Sequence, residues 1–207
     1  MVPLKFALAL FVIVDLGAAL MVGLENPKNA VRSEWTRLVP MIVVGTALGV
    51  TLLVNLPRNA GLLLLGLFVL GFAVFTLLPH ARQRIVSPAW AWVAGCAGGI
   101  TSTVFGAGGP PYAIYLSQRG LSKEQFRATL GFATMTSISL RLVAFLVTGL
   151  LLDKEIWLKA IAAVPACLLG IWVARKAFVR LSREALMRAV ALLLLASGIV
   201  LIFRAAL

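Results

Sequence analysis

Residues 106–111 read Gly-Ala-Gly-Gly-Pro-Pro in the middle of a long apolar stretch. Proline lacks the helix donor and its ring clashes with the preceding turn, and glycine is the weakest ordinary helix former. No continuous helix is predicted to run through this hexapeptide. Freed N–H and C=O groups cannot face lipid, where nothing satisfies them, so such backbone must be buried in protein or line a cavity. Many transporters use helices interrupted in this way to set bare backbone dipoles around a substrate near the midplane. The pattern therefore points first to a membrane carrier.

The constraint applies because the surroundings are a membrane chain. With 61% hydrophobic and 13% charged residues and a mean hydropathy of +1.03, the 207 residues exclude a water-soluble domain. Runs approaching the roughly 20 residues that cross about 30 Å of hydrocarbon predict spanning helices over Leu4–Leu24, Leu38–Leu56, Ala60–Leu78, Thr129–Leu152, Ala160–Ala174 and Met187–Phe203. The interrupted segment, Pro88 to about Gln118, is a seventh element. The expected fold is all-α: one polytopic membrane domain over residues 1–207, with six transmembrane helices plus one broken or re-entrant helix. A cleavable signal peptide is not expected, because the first apolar run is long and ends in Glu25-Asn26-Pro27.

A net charge of +12 invites a nucleic-acid partner, but the cations sit in short loops between spans, as the positive-inside rule requires. No nucleic acid is expected; the partners are the lipid bilayer and a small anion. Cys96 and Cys167 lie in apolar runs, and His80 stands alone at a membrane edge. This predicts neither a disulfide framework nor a metal site, and no cofactor.

Loop charge also bears on how Pro88–Gln118 runs. If it crosses once, Lys5, Arg58, Arg119, Lys123, Arg127 and the five cations of Arg175–Arg188 share a side, ten against eight. If it enters, breaks and leaves on the same side, Lys28, Arg32, Arg37, Arg82, Arg84, Arg119, Lys123, Arg127 and those five fall together, thirteen against five. Charge favours the hairpin, with that side in the cytoplasm. The length of Ala89–Phe105, nearly enough to cross, favours a span.

The chain repeats itself. Leu38–Phe75 can be laid on Val164–Val200 at an offset of 125, with Pro40 on Pro165, Gly45 on Gly170 and Ala60 on Ala185; Gly23 meets Gly149 and Trp35 meets Trp157 at similar offsets. The first unit is residues 1–79 and the second 88–207, and a hairpin at Pro88–Gln118 makes this two-fold repeat inverted.

The run Gly98-Gly99-Ile100-Thr101-Ser102-Thr103-Val104-Phe105-Gly106-Ala107-Gly108-Gly109-Pro110-Pro111, followed by an amphipathic Gln118–Ala128 loop and a Thr/Ser-bearing helix, resembles the TauE/SafE family of sulfite-exporter-like permeases. The resemblance implies transport of small sulfur oxyanions such as sulfite or organosulfonates, and a duplicated unit of about four hydrophobic elements. By the repeat, Met1–Val2 corresponds to Arg127–Ala128, so the first unit is expected to lack its opening Gly-rich element.

The residues accommodate such a substrate. Gly106, Gly108 and Gly109 lack a β-carbon and can turn successive N–H groups inward as an anion nest. A half-helix starting near Tyr112 adds its positive end, and Thr101, Ser102 and Thr103 offer hydroxyls. Glycines equally serve close helix packing, the role expected of Gly95, Gly98 and Gly99. Two charges lie deep in spans, Asp15 and Arg141, equivalent under an offset of 126. Arg141 either draws the anion while Asp15 couples protons, or the two form a structural ion pair. Tyr112 and Tyr115 either face the cavity or pack; Trp35, Trp90, Trp92 and Trp157 are assigned largely to the interfacial belt. The function expected is alternating-access transport of small anions, not enzymatic chemistry. The alternative is a non-transporting membrane subunit or scaffold, and a homodimer would be one way to complete a half-site.

Overall fold

The computed structural model describes residues 11–17, 19–20, 27–55, 57–77 and 85–151, with 157–158, 165, 169–170, 196 and 199–200. The described residues form helices and turns, with no strand among them. Residues Met1–Asn55 and Arg82–Ile161 form one compact unit; Leu56–Ala81 and Ala162–Leu207 form another. Of the second unit, the described element is an apolar helix, α2 (Arg58–Leu77). The expected spans Ala160–Ala174 and Met187–Phe203 lie almost wholly outside the described residues, and Leu4–Leu24 is described as helix at 11–17 and 19–20.

The first unit holds α1 (Arg32–Asn55), α3 (Trp90–Phe105), α4 (Gly109–Ser117) and α5 (Lys123–Val147). Among the described residues, α1 and α5 are long and apolar enough to cross a bilayer. α1 begins six residues before the predicted Leu38, which leaves Pro40 inside the helix. Part of the reason is long-range: the Val31 N–H, just ahead of the first turn, donates to Thr129 Oγ1 at 2.9 Å, which satisfies a donor that a helix start otherwise leaves orphaned. α5 begins at Lys123 rather than Thr129, because Ser122 and Gln125 close a capping box. It ends at Val147, five residues before the predicted Leu152, and Gly149 then turns left-handed at φ 78°.

α1 and α3 run side by side in parallel, joined by small residues. A β-carbon on Gly95 would lie 2.8 Å from the Leu38 carbonyl, one on Gly99 2.7 Å from that of Ile42, and one on Gly49 2.8 Å from Thr103 Cβ. Close backbone approach through small residues is the main packing device of membrane helices. The packing role expected of Gly95 and Gly99 is therefore observed.

α4 folds back along α3, with Tyr112 seated on Gly98 and Gly108 against Ser102. The ends of the interrupted segment meet: Val86 N–H donates to the Gln118 carbonyl at 3.1 Å. A chain that crossed the bilayer between these residues would hold them some 30 Å apart. The 16 residues of α3 measure about 24 Å at 1.5 Å per residue. Pro88–Gln118 is a helical hairpin.

Candidate functional site

At the hairpin tip α3 stops at Gly106, whose φ of 72° is left-handed, a conformation glycine adopts without penalty. Its N–H donates to the Ser102 carbonyl at 2.9 Å, and the Ala107 N–H to the Thr101 carbonyl at 3.2 Å. Gly108 then caps α4. The first four N–H groups of a helix have no acceptor within it. In α4 two of those positions are Pro110 and Pro111, which carry no N–H, so the donors left at this end belong to Gly108 and Gly109. The two glycines differ. A β-carbon on Gly108 would lie 2.7 Å from Ser102 Cβ and 2.9 Å from the Gly98 carbonyl, whereas one on Gly109 would meet only Thr134 Cγ2, at 3.9 Å. Gly108 is therefore required by packing, and Gly109 has room before it.

The hydroxyls point elsewhere. Thr101 Oγ1 donates to the Ala97 carbonyl at 2.9 Å and Thr103 Oγ1 to that of Gly99 at 2.8 Å. Their hydrogens are thus committed within α3, and Thr103 packs toward Gly49 of α1. Ser102 contributes its carbonyl, which also accepts from Arg141 Nη1 at 2.6 Å.

Arg141 is fully buried. Its Nη2 donates to Asp15 Oδ2 at 2.7 Å, with the arginine side chain 1% and the aspartate 35% exposed. The guanidinium thus has two partners of negative character: a carboxylate, and the last-turn carbonyls where α3 carries its partial negative charge. The structure brings Ser102, Gly108, Arg141 and Asp15 into one chain of contacts. The ion pair expected as one reading of Asp15 and Arg141 is formed.

A second polar cluster closes the hairpin mouth. Glu34, 5% exposed, accepts from Tyr115 Oη at 2.5 Å, Arg119 Nη2 at 2.9 Å and Arg37 Nη1 at 3.0 Å. Arg119 Nη1 also donates to the Val86 carbonyl at 2.5 Å. The Glu34 bond raises the Arg119 pKa above its ordinary value. This cluster ties α1, the end of α4 and both ends of the hairpin together. Sequence reasoning missed Glu34; its signal was to be the one acid among the cations of Lys28–Arg37. The tyrosines left open between cavity and packing are both buried, Tyr112 donating to Ser137 Oγ at 3.0 Å. Trp35 also has specific partners. Its indole donates to Thr136 Oγ1 at 3.0 Å and its ring meets Phe132 edge-on, so it joins α1 to α5. Trp90 and Trp92 are exposed.

A broken-helix hairpin among long apolar helices, with a buried arginine at its tip paired to an aspartate, defines an all-helical membrane protein built around an interrupted helix. The profile of the sulfite exporter TauE/SafE family matches residues 1–201, and the chain belongs to that family. Among similar proteins is the "Probable inner membrane transporter protein TsaS" of Comamonas testosteroni, 24% identical over 191 residues that cover 92% of this chain and 80% of the relative. No solved structure matches. The chain is a membrane transporter, not an enzyme, and membrane anion transport is the function this membership carries.

Proposed function

We propose that the chain carries small sulfur oxyanions, sulfite or organosulfonates, by alternating access around the Gly106–Pro111 break. The family supports the substrate class. The observation that carries the reading is the pair of N–H groups on Gly108 and Gly109 at the positive end of α4, with Ser102 linking that end to the buried Arg141. Donors at a helix N-terminus favour an anion, and a buried guanidinium adds a full charge.

Gly109→Ala is the clean test, because the added methyl has space and sits beside the donors. It is expected to lower sulfite or sulfonate flux into proteoliposomes about tenfold at normal expression, roughly 1.4 kcal/mol, because the methyl keeps the N–H but crowds the anion that would approach it. Unchanged flux would remove the tip from the substrate path. Gly108→Leu cannot make this distinction, since it also drives α4 off α3.

The hairpin mouth faces the cytoplasm in this reading. Arg37 and Arg119 share Glu34, whereas a single crossing would part them to opposite sides. Cysteines at Ser33 and Ser122, both exposed, are expected to react with an impermeant maleimide only from the cytoplasmic side of inverted vesicles; labelling from opposite sides would overturn the topology. The inverted repeat of residues 1–79 and 88–207 has support of its own. Val12 shares an apolar cluster with Phe145 and Leu151 while Asp15 pairs with Arg141, an order that sets the helix at 11–17 antiparallel to α5. Antiparallel equivalents that touch at equivalent residues are what a two-fold axis in the membrane plane produces.

A further inference from the structure

We propose that Asp15 holds the place of the transported anion on Arg141, and that each anion carried takes one proton with it on Asp15. The inference rests on the transport reading above and adds its coupling.

Of the three guanidinium nitrogens, Nη1 serves the Ser102 carbonyl and Nη2 serves Asp15 through one carboxylate oxygen. Nε is buried and meets no acceptor among the described residues. Guanidinium groups hold oxyanions best through two parallel N–H bonds, and Nε with Nη2 forms such an edge. Asp15 fills half of it. A buried donor left empty is costly, and a sulfonate or sulfite, with two oxygens to offer, fills both positions. Asp15 is the open member of the pair and Arg141 the closed one, so an anion reaches the edge by displacing the carboxylate.

Among the described residues, the displaced carboxylate then lacks a counter-charge. Arg141 is the one ionisable residue of α5 between Arg127 and Val147, and α1 has none from Leu38 to Asn55. α3 contributes only the Cys96 thiol, and α4 only Tyr112 and Tyr115, engaged with Ser137 and Glu34. A carboxylate left without a partner beside a bound anion takes up a proton. That proton comes from the water on the side to which the site is open. The anion and the proton move together with no net charge; on release Asp15 loses the proton and returns to Arg141.

Methanesulfonate, which keeps one negative charge at every pH used, is the probe. In proteoliposomes with the membrane potential clamped at zero, the wild-type protein is expected to accumulate it about tenfold per pH unit of alkaline interior, with no response to an imposed potential. Flux that follows the potential and ignores the pH gradient overturns the coupling and leaves the transport reading intact. Asp15→Asn keeps an acceptor for Nη2. Because the amide takes up no proton, any methanesulfonate flux this variant sustains is expected to follow an imposed potential and ignore the pH gradient, whereas pH-driven accumulation in Asp15→Asn overturns the assignment to Asp15. A measurement on the wild type guards against a poorly folded variant: methanesulfonate added to the solubilised protein in weak buffer takes up about one proton per anion bound. No uptake overturns the proposal. Absence of flux for both methanesulfonate and sulfite overturns the transport reading and the coupling with it.

Discussion

Asp15→Ala is expected to destabilise the protein by about 3–5 kcal/mol, the typical result of leaving one member of a buried ion pair uncompensated. The arginine is the costly survivor. Arg141 has 1% of its side chain exposed and cannot shed its proton at any accessible pH. Arg141→Leu has a different character. It leaves Asp15, which is 35% exposed and can neutralise itself by protonation, but it also strips the Ser102 carbonyl of a charged donor. Such a bond contributes roughly 1.5–3 kcal/mol. The double variant Asp15→Ala/Arg141→Leu removes both charges, and an apolar replacement of a buried pair is often near neutral. It is expected to recover most of the loss and to stop short of wild type by about the Ser102 bond. Thermal unfolding of the solubilised protein, with expression levels beside it, measures all three. Strictly additive losses would mean that the pair is not a unit. Added methanesulfonate is expected to stabilise Asp15→Ala more than the wild type, because in that variant the guanidinium has no competing carboxylate.

Much of this unit was legible in local patterns. Apolar runs marked α1 and α5, and Gly106–Pro111 marked the break, because proline and glycine act within one turn of themselves. The Ser122 cap is equally local, since both of its hydrogen bonds span three residues. Loop charge favoured the hairpin that the Val86–Gln118 bond closes. What escaped depends on partners far away in sequence. Thr129 accepts the donor ahead of α1 across 98 residues, so hydropathy alone set that start six residues late. Glu34 gathers Arg37 of its own helix, Tyr115 of α4 and Arg119 of the turn after it, and only its place as the one acid among the cations of Lys28–Arg37 marks it locally. The hydroxyls of Thr101 and Thr103 were legible as residues but not in direction. In a helix threonine readily bonds the carbonyl one turn back, and both do so here. The pairing of Asp15 with Arg141 is an exception that repeat arithmetic brought within reach, because the repeat supplied the long-range relation that composition cannot.

Gly98→Leu is expected to abolish the folded hairpin. A β-carbon at this position overlaps the Tyr112 ring itself, and the ring has nowhere to go: it is fully buried and its hydroxyl is held by Ser137 on α5. Overpacking a tight core typically costs about 1–3 kcal/mol where neighbours can shift. Here the neighbour is anchored at its far end, so the strain falls on the α3–α4 contact that brings the ends of the break together. Tyr112→Ala alone is also damaging, by about 3–5 kcal/mol, through the cavity it leaves. The two changes are expected to compensate. In Gly98→Leu/Tyr112→Ala the leucine occupies part of the emptied volume, and the double variant should be more stable than Gly98→Leu and no worse than Tyr112→Ala. Detergent-solubilised yield and unfolding midpoint give the comparison, with Gly109→Ala as the reference glycine whose added methyl meets nothing closer than 3.9 Å. If Gly98→Leu folds as well as Gly109→Ala, α4 does not lie on α3 as described. The tip donors of Gly108 and Gly109 would then lose the scaffold that sets them beside Ser102 and Arg141.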